Sequence, residues 1–197
     1  MKRDTIHERR FSGERDRLRA PDRVERMEVD RVVDLVLERW KPASALDVGT
    51  GTAVFAEAFA TRGLVVTGID VNPEMVEEAS RIVPGGTFCV APAEELPFEN
   101  QSIDVVFLGH VLHETDDPIK ALREAGRVAT KGVAVYEWPP VEEEHGPPLG
   151  HRLTIERTDE YARQAGFTII ERPNMRAMVL TLLEKGGWTR EPLERPS

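Results

Sequence analysis

The chain has 197 residues, 40 % of them hydrophobic and 31 % charged, which suits one soluble globular domain with its own core. Its formal net charge of -9 argues against nucleic acid as the partner, because phosphate binding needs a basic surface. A single cysteine, Cys89, excludes an internal disulfide and a four-cysteine zinc site; no apolar run reaches membrane-spanning length and the charged N-terminus has no signal-peptide core, so the expected compartment is the cytoplasm.

Residues 1–21 mix Arg with Asp and Glu and show little apolar periodicity. They read either as a loosely docked tail or as a lid in which Phe11, Leu18 and the intervening Arg residues close on a ligand. From Asp22 to Trp40 the pattern is helical, with Val29, Val32, Val33, Val36, Leu37 and Trp40 at three- and four-residue steps, and Pro42 stops it. A short apolar strand, Ala45-Leu46-Asp47-Val48, then runs into Gly49-Thr50-Gly51-Thr52-Ala53. An amphipathic helix follows, with Val54, Phe55, Ala58 and Phe59 on one face and Gly63 closing it. Strand, glycine turn and helix opening form the phosphate-side half of a nucleotide-binding unit. Gly49 and Gly51 let the backbone approach a ligand closely.

The second strand, Val65 to Ile69, ends at Asp70, nearly twenty residues past the loop, where an acid accepts from ribose hydroxyls. A dinucleotide site has a third glycine where this chain has Val54, so the pyrophosphate fingerprint is incomplete. Asp47, just before the first glycine, repels a pyrophosphate and suits a ligand that carries positive charge. Asn72-Pro73-Glu74 starts the next helix, with Asn as cap and Pro at the first position. Pro84-Gly85-Gly86 ends it, and Thr87 to Val90 is a short third strand in which Cys89 is a small core residue. After the loop Ala91 to Glu95, Ile103 to Leu108 is a continuous apolar strand, as in a parallel sheet covered on both faces. Its end, Gly109-His110-Val111-Leu112-His113-Glu114, falls at the carboxyl edge, where open α/β sheets bind ligands. Asp117-Pro118 opens a helix packed through Ala121, Leu122, Ala125 and Val128. Gly132 lies past its end, and Val133 to Tyr136 is the fifth strand. Glu137 to Arg152 is long, Pro-rich and irregular, with an acidic run at 142–144; a connection of this length in a compact domain carries function or is disordered. Thr154 caps a helix over Ile155 to Ala165. Phe167 to Ile170 and Met175 to Leu183 are the last strands, antiparallel neighbours across Arg172-Pro173-Asn174. A tail follows from 186.

Leu46-Asp47-Val48-Gly49-Thr50-Gly51-Thr52, Gly68-Ile69-Asp70-Val71-Asn72-Pro73, Ala93-Glu94-Glu95-Leu96-Pro97-Phe98, Ser102-Ile103-Asp104-Val105-Val106, Val111-Leu112-His113 and Ala121-Leu122-Arg123-Glu124 occur in this order. In that order and spacing the chain resembles the class I S-adenosylmethionine-dependent methyltransferases, specifically the small-molecule group of the ubiquinone/menaquinone-biosynthesis type, over roughly residues 24–170. The resemblance implies a Rossmann-like, doubly wound α/β fold. It has a mostly parallel seven-stranded sheet with helices on both faces and an antiparallel last strand, in a domain over 22–185. It implies S-adenosylmethionine held by Asp47, Gly49, Thr50, Gly51, Asp70, Val71, Ala93, Glu94, Gly109 and His110. The family has an Asp at position 92 for the adenine amino group; here Pro92 leaves the Ala93 N–H and the Glu94 carboxylate for the ring.

Methyl transfer from a sulfonium needs alignment and desolvation, and a base only where the acceptor carries a proton. His113 is the candidate for that proton, against a plain structural role as a strand-end His. His110-x-x-His113 is half of a metal site with no third ligand at fixed spacing, so no metal is expected. The acceptor pocket is placed at Glu137, Trp138, His145, His151 and Arg152, with Trp138 as a flat wall and the basic side chains as donors to a small molecule. The alternative there is that Trp138 packs the core. Two other functions stay open: a non-catalytic S-adenosylmethionine-binding or regulatory protein, and a nucleotide-dependent oxidoreductase, against which Val54 and Asp47 count.

Overall fold

The computed structural model describes residues 18–142 and 145–186. The expectations for Phe11 and the rest of 1–17, for Glu143 and Glu144, and for the tail over 187–197 lie outside the described residues. In chain order the elements are α1 Pro21–Arg26, α2 Val29–Trp40, β1 Ser44–Val48, α3 Val54–Thr61, β2 Val65–Asp70, α4 Pro73–Ile82, β3 Thr87–Val90 and β4 Ile103–Gly109. A 3-10 turn over Leu112–Glu114 leads to α5 Pro118–Val128, β5 Ala129–Glu137, a second 3-10 turn at Leu149–His151, α6 Ile155–Gln164, β6 Phe167–Glu171 and β7 Val179–Lys185.

The seven strands form one sheet in the order β3-β2-β1-β4-β5-β7-β6. All pairs from β3 to β5 are parallel, and β7 inserts antiparallel between β5 and β6. The fold is therefore the Rossmann-like, doubly wound arrangement with an antiparallel last strand. Strand side chains alternate between two cores, because successive Cβ atoms point to opposite faces. Val105, Phe107, Ala134 and Tyr136 face α2 and α3 in one core; Val106, Leu108, Val133 and Val135 face α5 and α6 in the other. The order reverses between β1 and β4, so the crevice outside their carboxyl ends is the switch point where such sheets bind ligands.

Five boundaries differ from the sequence reading, the largest of them for tertiary reasons. The helix over 22–40 is two helices, broken at Glu28, which turns left-handed at φ 44°. The break is held from outside: Tyr136 Oη donates to Met27 O at 2.7 Å, and the Glu28 carboxylate accepts from Arg31 at 2.9 Å and from the Arg176 N–H at 2.7 Å. The fifth strand begins at Ala129, so Gly132 lies inside it; a Cβ there would stand 2.1 Å from the Trp40 ring. The seventh strand begins at Val179, after Met175 to Met178 has passed over the first core, and the sixth runs one residue further, to Glu171. The helix after Thr154 ends at Gln164, one residue early.

Candidate functional site

The glycine loop is built by steric necessity. Gly49 has φ 69° and Gly51 φ 51°, a region that a Cβ disfavours. At Gly49 a Cβ would also come within 2.7 Å of the Val111 side chain. The loop folds back on β2 through Thr50 N–H to Ile69 O at 2.8 Å. Asp47, only 2 % exposed, accepts through Oδ2 from Thr50 Oγ1 at 2.8 Å and from the Ala56 N–H at 3.2 Å. Burial pushes its pKa up to about 7, assisted by the nearby Asp70 charge and resisted by those two hydrogen bonds. Asp70 closes the loop from β2: Oδ2 accepts from the Gly51 N–H and Oδ1 from the Asn72 N–H, both at 2.9 Å. Val71 beside it is an exposed apolar side chain.

The adenine side is assembled differently from expectation. Ala91 N–H donates to Asp70 O at 3.1 Å, and Ala93 is buried. Glu94 Oε1 accepts from the N–H groups of Asp116 and Asp117, at 2.7 and 3.2 Å. One carboxylate oxygen of Glu94 thus fastens this loop to the entry of α5.

At the carboxyl edge of β4, Gly109 leads into His110, which has φ 58° and donates its N–H to Tyr136 O at 2.7 Å. The His110 ring stacks on Tyr136 at 5.2 Å and on Trp138 at 5.1 Å. Its Nε2 is enclosed and meets no partner among the described residues, and the same holds for Thr52 Oγ1 in the glycine loop. Burial holds the His110 pKa well below the ordinary value, with Arg23 and His113 adding repulsion, so the ring is neutral at pH 7. Left-handed backbone at a non-glycine residue and a buried ring nitrogen without a protein partner are both energetically costly.

His113 lies on the opposite face, 4 % exposed. Its Nδ1 is 2.7 Å from Glu137 Oε2, its backbone N–H donates to Glu137 Oε1 at 3.3 Å, and its Nε2 is 3.7 Å from Glu114 Oε1. Burial alone would lower its pKa, but the Glu137 charge and hydrogen bond and the Glu114 charge outweigh this and raise it. Glu137, at the end of β5, therefore orients His113; the sequence reading places it on the acceptor.

The loop after β5 also departs from expectation. Trp138 is 6 % exposed and belongs to the first core, as in the structural alternative. Arg152, read as a donor to the acceptor, spends its guanidinium on the loop itself. Nε donates to Pro147 O at 2.9 Å, Nη1 to Val141 O at 2.7 Å and Pro139 O at 3.3 Å, and Nη2 to His145 O at 2.7 Å. The same guanidinium lies 5.4 Å from the Trp138 ring centroid. His145 is exposed in the middle of the loop and His151 is half-buried near its far end. Among the described residues no three His, Cys, Asp or Glu side chains are grouped to hold a metal ion.

Two residues escaped the sequence reading. Arg19 Nη1 donates to Thr52 O at 2.6 Å and the same guanidinium pairs with Glu57, so the chain before α1 is fastened to the glycine loop. Arg23 Nη1 donates to Leu18 O at 2.7 Å, so its guanidinium also lies in this segment ahead of the glycine loop. Nothing in a stretch where Arg alternates with acids distinguishes these two from solvated charges.

A buried acid before a close-approach glycine loop, an acid on that loop from β2 and two orphaned polar atoms at the switch point fit an adenosyl ligand with a cationic arm. The fold is a doubly wound α/β sheet with the glycine loop at its switch point. Residues 46–136 match the family model of a methyltransferase domain. The chain is 30 % identical over 153 residues to an uncharacterized methyltransferase of Mycobacterium sp. (strain JLS), covering 70 % of this chain and 60 % of that protein. It is 35 % identical over 100 residues to demethylmenaquinone methyltransferase of Thermotoga maritima, covering 50 % and 43 %. A crystal structure of a SAM-dependent methyltransferase from Aquifex aeolicus shares the fold, with a TM-score of 0.77 at 22 % identity over 86 % of this chain and 95 % of that one. The chain thus carries a match to a methyltransferase domain over residues 46–136 and resembles the class I S-adenosylmethionine-dependent methyltransferases, among them the quinone-biosynthesis type. It spans less than two thirds of the length of these two curated relatives.

Proposed function

We propose that this protein binds S-adenosylmethionine and transfers its methyl group to a small-molecule acceptor in the cytoplasm, without a nucleic-acid or metal partner. The observation that carries the reading is the Asp70 carboxylate, which holds the Gly51 N–H at the switch point beside the buried Asp47. S-adenosylmethionine supplies a methyl on a positively charged sulfur that leaves as a neutral thioether. Asp70 takes the ribose hydroxyls, exchanging backbone donors for ligand donors. Asp47 faces the cationic arm, and Val71 with the Ala93 N–H takes the adenine. Gly109 borders the cofactor beside His110. His110, neutral, adds no charge beside a sulfonium.

Where the acceptor carries a proton, His113 takes it at Nε2, because Glu137 occupies Nδ1. Trp138, stacked on His110, stays with the first core on the other side of the sheet from His113, and His145 and His151 are the candidate donors to the acceptor. The test has two parts. Calorimetry with S-adenosylhomocysteine and with NADH should show binding of the first alone; the reverse result rejects the site. Labelled methyl transfer to a panel of phenols, thiols and amines then separates an enzyme from a binding protein. With a working acceptor, turnover should rise with pH as His113 loses its proton, and Glu137→Gln should move that limb to lower pH. A limb that stays put removes His113 from the reaction.

A further inference from the structure

The 3-10 turn Leu112–Glu114 sets two hydrogen-bond acceptors side by side. The His113 ring is held from behind, with Nδ1 2.7 Å from Glu137 Oε2 and the backbone N–H donating to Glu137 Oε1 at 3.3 Å. With its Nδ1 proton given to that carboxylate, the neutral ring carries a lone pair at Nε2. Glu114 Oε1 stands 3.7 Å from Nε2, too far for a hydrogen bond, and among the described residues Nε2 makes none. The His113 side chain is 3 % exposed and that of Glu114 23 %, so Glu114 is the solvent-side member of the pair. Two acceptors 3.7 Å apart, each about 2.9 Å from a donor between them, subtend about 80° at that donor. One nitrogen with two N–H bonds satisfies both. A phenol or thiol has one hydrogen, satisfies one acceptor and turns lone pairs on the other. Charge selects in the same direction. Glu137 faces His113 from β5, and Asp116 and Asp117 hold the Glu94 carboxylate through their N–H groups at 2.7 and 3.2 Å, so the turn gathers further acids. Arg152 is an opposing cation, its guanidinium committed to loop carbonyls. A phenolate or thiolate would meet Glu114 as a like charge.

We propose that His113 Nε2 and Glu114 Oε1 form a fork for a primary amine, so that the methyl acceptor is an amine nitrogen. The fork rests on the methyl-transfer reading above, with His113 as the base. The amine enters as its ammonium, one N–H on Nε2 and a second on Oε1. The first proton passes to Nε2, and the electron pair of that N–H bond stays on nitrogen as the attacking lone pair. Glu114 keeps the second N–H and so holds the direction of attack. The lone pair forms the N–C bond to the methyl while the C–S bond breaks and its electrons go to sulfur. A neutral thioether and a methylated ammonium result, and the proton on His113 passes to solvent as the product leaves. Glu114 is then a binding residue for the acceptor, and Glu137 positions His113.

The test uses the S-adenosylhomocysteine complex of the full chain and two probes of one shape, benzylamine and benzyl alcohol. Benzylamine should bind at least about tenfold more tightly at pH 7. Its positive charge should also lower the His113 pKa, followed by NMR of the ring, by about one pH unit or more, and benzyl alcohol should leave it in place. Glu114→Ala should abolish the preference. Glu114→Gln, which keeps an oxygen acceptor and loses the charge, should be intermediate, and an S-adenosylhomocysteine affinity equal to wild type shows that both variants are folded. Equal binding of the two probes overturns the fork, as does a His113 pKa that benzylamine leaves in place. A preference that survives in folded Glu114→Ala overturns it too. Labelled methyl from S-adenosylmethionine that reaches phenol or benzyl mercaptan and not benzylamine overturns the fork and keeps the methyl-transfer reading. Wild-type protein that binds no S-adenosylhomocysteine overturns the adenosyl reading and the fork with it.

Discussion

At Asp47 the residue's burial and its chemistry are the same fact. The carboxyl is enclosed by the loop it organises, and burial raises its pKa to about 7 against an ordinary 3.8. The folded protein therefore holds a proton there that the unfolded chain has released between those values. Asp47 thus favours folding most below the unfolded value, and that contribution is lost as pH rises toward 7. A cationic arm bound beside it reverses the preference and expels the proton. Affinity for S-adenosylhomocysteine should consequently rise between pH 5 and 7 and then level. Calorimetry at pH 6.5 in buffers of different ionisation enthalpy should show release of up to about one proton on binding. Asp47→Asn should remove the buffer dependence; equal heats in all buffers with wild-type protein would place the cationic arm elsewhere. His113 has the raised pKa of a base gaining partners, so its contribution to stability is full below its unfolded value and fades as pH climbs through the folded one.

At the scale of elements, the loop from Glu137 to Arg152 shows how a Pro-rich connection is ordered without a ladder. Arg152, itself 8 % exposed, gathers four carbonyls from Pro139 to Pro147 and lies over Trp138. Charge-assisted hydrogen bonds of this kind contribute about 1.5–3 kcal/mol when buried, and here water reclaims part of that on loss. Arg152→Gln should cost about 2–3 kcal/mol in total, since these carbonyls border solvent. That corresponds to a melting point lower by roughly 4–12 °C in a chain of this size. Limited proteolysis should open the loop between Pro139 and Pro148. An unchanged melting point with impaired turnover would return Arg152 to the acceptor. The loop's existence was readable from its composition; Arg152's partners were not, because main-chain carbonyls leave no trace in the residue alphabet. The same contrast runs through the fold. Strands, capped helices and the glycine loop follow from local pattern: Asn72, Asp117 and Thr154 each accept from a first-turn N–H, as their residue types demand. The break at Glu28 and the place of Gly132 inside β5 were hidden, since both are imposed by distant partners, Tyr136 with Arg176 and Trp40. In the candidate site, the meeting of Asp47, Asp70 and the glycine loop was readable from spacing, whereas the contact of Arg19 with that loop and the His113–Glu137 pair needed the fold to bring them together.

At the scale of the whole molecule, the ligand site is also a junction of the structure. Asp70 ties β2 to the loop after β1, Glu94 ties the loop after β3 to α5, and Arg19 ties the start of the chain to the glycine loop. A ligand that binds these groups only when they are assembled stabilises the entire fold by mass action. At a hundred times its dissociation constant it adds about 2.7 kcal/mol. For a chain of this size that is a rise in melting temperature of about 5–10 °C, which S-adenosylhomocysteine should produce and NADH should not. Asp70→Ala removes charge-assisted hydrogen bonds of about 1.5–3 kcal/mol each, so affinity should fall at least tenfold. At the same ligand concentration the occupancy ratio then drops to about ten, and the stabilisation to about 1.4 kcal/mol or less. The rise measured against the variant's own unliganded protein should therefore be about half that of the wild type. This comparison separates ligand contact from loop support. An Asp70 that served only to hold the Gly51 N–H would lower the unliganded melting point and leave the ligand-induced rise intact.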